Sequence, residues 1–195
     1  MKISKRLLLL GLIAAALVMA SLGAHPALAA GASATDSFTL RVTDGSATAS
    51  VAAVFQIAGS NDAPLPVDDV ASVTAGAGAA TGNVLSNDAD PDAADTRTVS
   101  AVLAGSAGSA LPVAGGSTRD STATVATGVY GQLRIGADGS YSYQADSNNP
   151  AVKALVAGGA TLNDVFTYTV RDGQGATATA ILTVTVHGEI GRAHV

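Results

Sequence analysis

The sequence predicts an all-β protein, an antiparallel β-sandwich of tandem-repeat type. Three observations carry that expectation. Beyond Ala30 the chain alternates apolar and polar residues in short runs rich in Val, Thr and Ala. Clusters of Gly and Asp punctuate those runs, and a single short stretch reads as helix. Short alternating strands with turn residues between them bury one face each and need a second layer to cover it.

The first segment is set apart from the fold. Lys2, Lys5 and Arg6 form a basic start, an uncharged apolar stretch runs from Leu7 to Ala20, and small residues lead to Ala27-Leu28-Ala29. That order is the pattern of a secretory signal peptide over residues 1–29, cut before Ala30. The apolar run is short for about 30 Å of hydrocarbon, so no stable membrane span is expected after cleavage. Export would permit disulfides, but the chain has no cysteine. Past Ala29, seven Lys and Arg face fifteen acidic residues, a net charge of −8, and fourteen of the acids are Asp. Phosphate binding needs clustered Lys and Arg, so nucleic acid is not expected as a partner.

The strands follow in order. Residues 30–60 are read as a partial repeat, one hairpin, followed by a linker. Val67–Thr74, Thr81–Leu85 and Thr98–Leu103 are strand candidates. Gln132–Ile135 and Ser140–Tyr143 predict a second hairpin, turned by Gly136-Ala-Asp-Gly139. Asn149–Val156 reads as one helical turn, with Pro150 near its start and Gly158-Gly159 ending it. Asp164–Asp172 puts Phe166, Tyr168 and Val170 on its core face, and after the turn Asp172-Gly-Gln-Gly175 the chain returns through Ala180–Val186 with Leu182, Val184 and Val186 inward.

The last hairpin repeats the first. Asp36-Ser-Phe-Thr-Leu-Arg-Val-Thr-Asp-Gly45 aligns with Asp164-Val-Phe-Thr-Tyr-Thr-Val-Arg-Asp-Gly173, and with one gap the match runs on to Gly59 and Gly188. Self-similarity of this kind marks units that stack in an array.

Few residues suit catalysis. His25 lies in the signal and His194 in the tail, which leaves His187 at a strand end, without a nucleophile or metal cluster around it. Every Asp reads as a turn or linker residue, so paired acids for glycoside hydrolysis are not expected, and neither is an enzyme. Tyr130, Tyr141, Tyr143 and Tyr168 could stack on sugars, although Tyr141 and Tyr143 fall on the same side of one strand. Gly76–Gly82 misses the dinucleotide-loop spacing, and Gly115-Gly116…Asp120 reads as a loop. Asn87, Asp88, Asp90, Asp92 and Asp95 crowd one loop without the Gly and Glu of an EF-hand. Calcium takes six to eight hard oxygens, so that density suits it; a solvated Asp-rich turn is the other reading.

Asn61-Asp-Ala-Pro64, Asp68-Asp69, Gly82–Asp92, Gly131-Gln-Leu…Asp138-Gly-Ser-Tyr-Ser-Tyr143 and Phe166–Gly173 together resemble the bacterial cadherin-like repeats known as VCBS domains. The resemblance spans residues 61–188, with a partial copy upstream. It implies an immunoglobulin/cadherin-like sandwich, of the kind found in long secreted or surface-attached adhesins and biofilm proteins, some of them calcium-dependent and polysaccharide-binding. A cadherin-like calcium site would gather oxygens from the acidic loop, from Asn61 and Asp62, and from Asp172. The family's Asp-x-Asp-Gly-Asp is here Asp90-Pro-Asp92-Ala-Ala-Asp95, one residue longer and without the Gly, so a site there is reshaped.

The expected function is therefore an exported, non-enzymatic repeat module of a surface adhesin, a calcium-stabilised spacer or presenting domain. Its partners would be neighbouring repeats and an extracellular polysaccharide or cell-surface ligand. Two alternatives stay open: a calcium-dependent carbohydrate-binding module, and an accessory domain of a secreted enzyme truncated here. Residues 189–195 are read as a foreign tail, since Ile190-Gly-Arg-Ala-His-Val195 resembles a translated sequencing adapter.

Overall fold

The computed structural model describes residues 28–43, 45–92, 95–155 and 159–188. The expected signal segment up to Ala27, Gly158 at the end of the expected helical turn, and the expected tail from Glu189 lie outside the described residues. Chain contacts divide the protein into two units, Met1–Ser60 and Asn61–Val195.

The first unit carries a hairpin of β1 (Ser33–Thr43) and β2 (Thr48–Ala58), paired antiparallel without a bulge. Its ends are closed by Gly59 N–H donating to the Ala32 carbonyl at 2.9 Å. Period-two alternation sorts its side chains cleanly. Phe38, Leu40 and Val42 share a face with Val51, Ala53, Phe55 and Ile57, while Thr39, Arg41, Ser50 and Gln56 take the other.

The second unit is the sandwich. One sheet has the order β3-β11-β10-β5-β6, with β3 (Asp69–Thr74), β5 (Thr98–Ala104), β6 (Leu111–Pro112), β10 (Leu162–Arg171) and β11 (Thr177–His187). The other has the order β4-β9-β8-β7, with β4 (Ala80–Asn83), β7 (Thr124–Thr127), β8 (Gly131–Ile135) and β9 (Ser140–Ala145). All neighbours are antiparallel except β11 with β3. Phe166, Tyr168, Val170, Leu182, Val184 and Val186 of one sheet meet Leu133, Ile135, Tyr141 and Tyr143 of the other in a single core. Tyr143 and Phe166 pack edge to face, ring centroids 5.9 Å apart, the arrangement that the ring quadrupoles favour.

The expected strands are present, with shifted ends that have local causes. β3 starts at Asp69 rather than Val67, because the Val67 N–H is drawn to the Asp88 carboxylate at 2.9 Å. β4 stops at Asn83 rather than Leu85, because Asn83 Oδ1 accepts the Leu85 N–H at 2.8 Å and turns the chain. The helical turn α1 (Pro150–Lys153) is capped by Asn149, whose side chain accepts the Ala151 N–H. Two strands escaped the sequence reading. β6 is only two residues long and ends in Pro, and β7 turns only the small Ala126 fully inward.

Candidate functional site

The linker after Ser60 is laid along the acidic loop by a two-bond bridge, Leu65 N–H to the Ala89 carbonyl at 2.8 Å and Ala89 N–H to the Leu65 carbonyl at 3.2 Å. That bridge places the predicted residues. Asp62 N–H donates to Asp92 Oδ2 at 2.8 Å, Asp92 N–H to Asp90 Oδ1 at 2.8 Å, and Asp95 N–H to the Asp92 carbonyl at 2.7 Å. Asn61 Nδ2 donates to Asp172 Oδ2 at 2.8 Å. The other Asp172 oxygen caps the β10–β11 turn, accepting the N–H groups of Gln174, Gly175 and Ala176. The Asn61 amide and these turn N–H groups hold the Asp172 carboxyl below the ordinary carboxylate value. Asp95 accepts from Gln174 Nε2 at 3.4 Å and lies against Gly173, closing the loop onto the same turn. Asn61, Asp62, Asp90, Asp92, Asp95 and Asp172 thus form one connected set.

Asn87 and Asp88 turn toward a second set that sequence reasoning had not assembled. Asn87 Nδ2 donates to the Val67 carbonyl at 3.2 Å, and Asp88 Oδ1 accepts the Val67 N–H. Beside them Asp68 Oδ1 accepts the Ile181 N–H at 2.9 Å, and Tyr168 donates its hydroxyl proton to Asp69 Oδ2 at 2.8 Å. Burial pushes the Asp69 carboxyl up, helped by the neighbouring charges of Asp88 and Asp68. Burial also raises Asp88, against the pull of Arg97. The adjacent Asp68-Asp69 pair was the available signal; the tyrosine that reaches it comes from the opposite end of the sequence.

Three oxygens in these sets are buried and accept no hydrogen bond: Asn61 Oδ1, Asp88 Oδ2 and Asp90 Oδ2. Asp88 and Asp92 are only 8% and 3% exposed. Among the described residues, no three carboxylates or imidazoles alone form a group that could hold a metal ion. The donor set is all oxygen, however, and includes amide carbonyls besides carboxylates, which is the chemistry hard cations prefer.

Three acids contradict their expected place: Asp36 lies inside β1, Asp69 opens β3, and Asp164 is the most buried of them. Asp164 is not in a turn or linker: it lies inside β10, 2% exposed. Its carboxylate accepts the Val129 and Tyr130 N–H groups, each at 2.9 Å, and the Tyr143 hydroxyl at 2.8 Å. Gly128 makes the approach possible, since a Cβ there would sit 2.3 Å from Asp164 Oδ2. Near this end a depression of about 430 Å³ is lined by Gln132, Gln144, Asp146 and Ser147 among others, without an aromatic ring.

The bacterial cadherin-like domain model matches residues 61–188. The chain belongs to the bacterial cadherin-like domain family. Domains of this family are typically non-catalytic and generally extracellular, and membership suggests an adhesin-type or repeat module. No curated protein matches the chain. One solved structure that it resembles is a nucleoside hydrolase-related hypothetical protein from Saccharophagus degradans that is associated with carbohydrate metabolism. The two are 17% identical with a TM-score of 0.35, and the match covers 67% of this chain and 26% of that one, so the chain spans about a quarter of that protein. Among the described residues of the cadherin-like protein, no helix is long and apolar enough to cross a membrane.

Proposed function

We propose that this cadherin-like chain is an exported, non-enzymatic spacer or presenting module of a bacterial surface or biofilm adhesin, with its linker end stiffened by calcium. The observation that carries the calcium reading is the trio of buried, unpartnered oxygens on Asn61, Asp88 and Asp90. A buried acceptor left without a donor costs about 1–3 kcal/mol, more when charged, and crowded carboxylates repel one another. A hard cation relieves both costs. Asn61, Asp62, Asp90, Asp92, Asp95 and Asp172 would hold it at the linker, with Asn87 and Asp88 on the neighbouring side. The ion supplies positive charge and fixes the linker to the loop, and a fixed linker sets the angle between successive repeats.

The non-enzymatic part is supported by the surroundings of the candidate groups. His187 stands exposed at the end of β11, and Asp164 spends its carboxylate on core donors. The signal peptide supports export, and the repeated hairpin supports an array. Partners on this reading are neighbouring repeats and an extracellular polysaccharide or cell-surface ligand.

Thermal unfolding in calcium and then in chelator tests the proposal. At a calcium concentration a hundred times the Kd, about 2.7 kcal/mol of added stability is expected, a rise of several degrees in Tm. Coincident curves would sink the calcium reading. A glycan array run under both conditions separates the spacer from a carbohydrate-binding module: calcium-dependent binding to a defined glycan would replace the spacer reading.

A further inference from the structure

The β1–β2 hairpin presents an uncovered apolar face. Leu40, Val42, Val51, Phe55 and Ile57 are all exposed, Val51 by 60%. A lone two-stranded ribbon is marginal in water, and a contiguous apolar patch marks a contact surface. What such a face takes as its cover is shown by the same chain. The alignment of the two hairpins predicts that Asp36 pairs as Asp164 does, Phe38 as Phe166 and Leu40 as Tyr168. The observed registers agree pair for pair. Asp36 faces Phe55, Phe38 faces Ala53 and Leu40 faces Val51. Asp164 faces Val184, Phe166 faces Leu182 and Tyr168 faces Ala180.

In the cadherin-like domain, that second hairpin is enclosed on three sides. The sheet β4-β9-β8-β7 covers its apolar face, β3 runs parallel along β11, and β5 pairs with β10. The polar key is Asp164, which takes a tyrosine hydroxyl and two consecutive loop N–H groups. Asp36 stands at the same register position, half-buried, and no hydrogen bond to its side chain from the described residues is present. Edges, apolar face and carboxylate therefore all match one kind of partner.

We infer that β1–β2 is a donor hairpin, which completes from outside a cadherin-like sandwich lacking its own last two strands. The acceptor offers a sheet of the β4-β9-β8-β7 kind, a buried tyrosine hydroxyl, and a gap between β3-like and β5-like edges. This is strand addition with two strands at once, in which main-chain hydrogen bonds supply affinity and the alternate side chains supply register. It concerns the first unit alone and does not depend on calcium.

The test co-refolds the full chain with a shortened copy of residues 61–160, which keeps the acceptor strands and lacks both the β1–β2 and the β10–β11 hairpins. A one-to-one complex in sedimentation is expected. Phe38→Asp or Phe55→Asp in the full chain should weaken it at least about a hundredfold, because a charge would enter the apolar layer. Asp36→Ala should weaken it about ten- to a hundredfold, the loss of charge-assisted bonds. Leu40→Tyr, which restores the hydroxyl that Tyr168 gives to Asp69, should strengthen it, and Thr39→Asp on the polar face should change nothing. Absence of a complex overturns the inference, as does a complex indifferent to Phe38→Asp. Hairpin-dependent dimers of the full chain alone, without capture of the shortened copy, would show that a second intact copy is the occupant and also overturn it. A graft covers the case in which the shortened copy aggregates: with Ala34–Gly59 replacing Leu162–Gly188, cooperative unfolding supports the inference and a molten chain overturns it.

Discussion

Two hairpins of this chain share a register and most of a face, and they live in different surroundings. In β10–β11, Phe166, Leu182, Val184 and Val186 are fully buried, and Asp164 is saturated with donors. In β1–β2 the corresponding Phe38, Ala53, Phe55 and Ile57 are half-buried or exposed. Strand pairing and register are thus written into the hairpin itself, through alternation and turn length. Burial is supplied by a second layer. A hairpin cut from its layer keeps its register and loses most of its stabilisation, because the area removed from water carries the energy.

The largest break in that comparison comes from truncating equivalent phenylalanines. Phe166→Ala should destabilise the cadherin-like domain by about 3–5 kcal/mol, through lost burial and a cavity under Tyr143. Phe38→Ala should change the same urea unfolding transition by less than about 0.5 kcal/mol. Next in size is the aspartate pair. Asp164→Ala strands the Tyr143 hydroxyl inside the core and takes the acceptor from two part-buried loop N–H groups, so about 3 kcal/mol should be lost in urea titration. Asp36→Ala should leave that transition in place. Equal losses at Asp36 and Asp164 would mean that the first hairpin is already built into a core.

Much of this was legible in the sequence, for a reason that the hairpins make plain. Alternation with a period of two is local, so Phe166, Tyr168 and Val170 declared their face, and Tyr141 and Tyr143 theirs, without knowledge of the opposite sheet. Strand ends were less legible. They depend on side-chain bonds from distant segments, as when Asp88 draws Val67 out of β3. The role of Asp164 was hidden for the same reason. Nothing near it in sequence says that a loop around Gly128, thirty-six residues earlier, will wrap its carboxylate. The acidic loop was visible as a cluster. Its division into a linker set and a Tyr168 set was not, because the division follows from the bridge between Leu65 and Ala89.

The two ends of β10 extend the comparison to a smaller scale. At one end Asp164 finds all its donors in the protein; toward the other, Asp88 keeps one buried oxygen without any. Asp88→Asn removes a buried negative charge and its repulsion on Asp69. In chelator the variant should melt a few degrees higher than the parent. In calcium its gain should be smaller than the parent's, since one ligand charge is lost. A lower Tm in chelator would show that the pull of Arg97 outweighs burial at this site.

The smallest effect is a matter of pH, and its sign differs between the two sets of acids. Asp172 titrates below the ordinary value of 3.8 when folded, so its contribution is present above 3.8 and is lost as pH falls through the depressed value. Asp69 and Asp88 titrate above 3.8 when folded, so the fold binds their protons more tightly than the unfolded chain does. Their effect has the opposite sign: stability rises as pH falls through their raised values toward 3.8, and only below that does the loss at Asp172 take over. In chelator, Tm should therefore hold or rise slightly on moving from neutral pH toward pH 4 before it drops. Calcium changes this profile in a diagnostic way. A bound cation favours the ionised carboxylates, so the mild acid gain should vanish and Tm should fall steadily with acidification. A chelated profile that already falls steadily from neutral pH would show that burial at Asp69 and Asp88 is offset within the protein, and that the second set of acids has no unmet charge for an ion to satisfy.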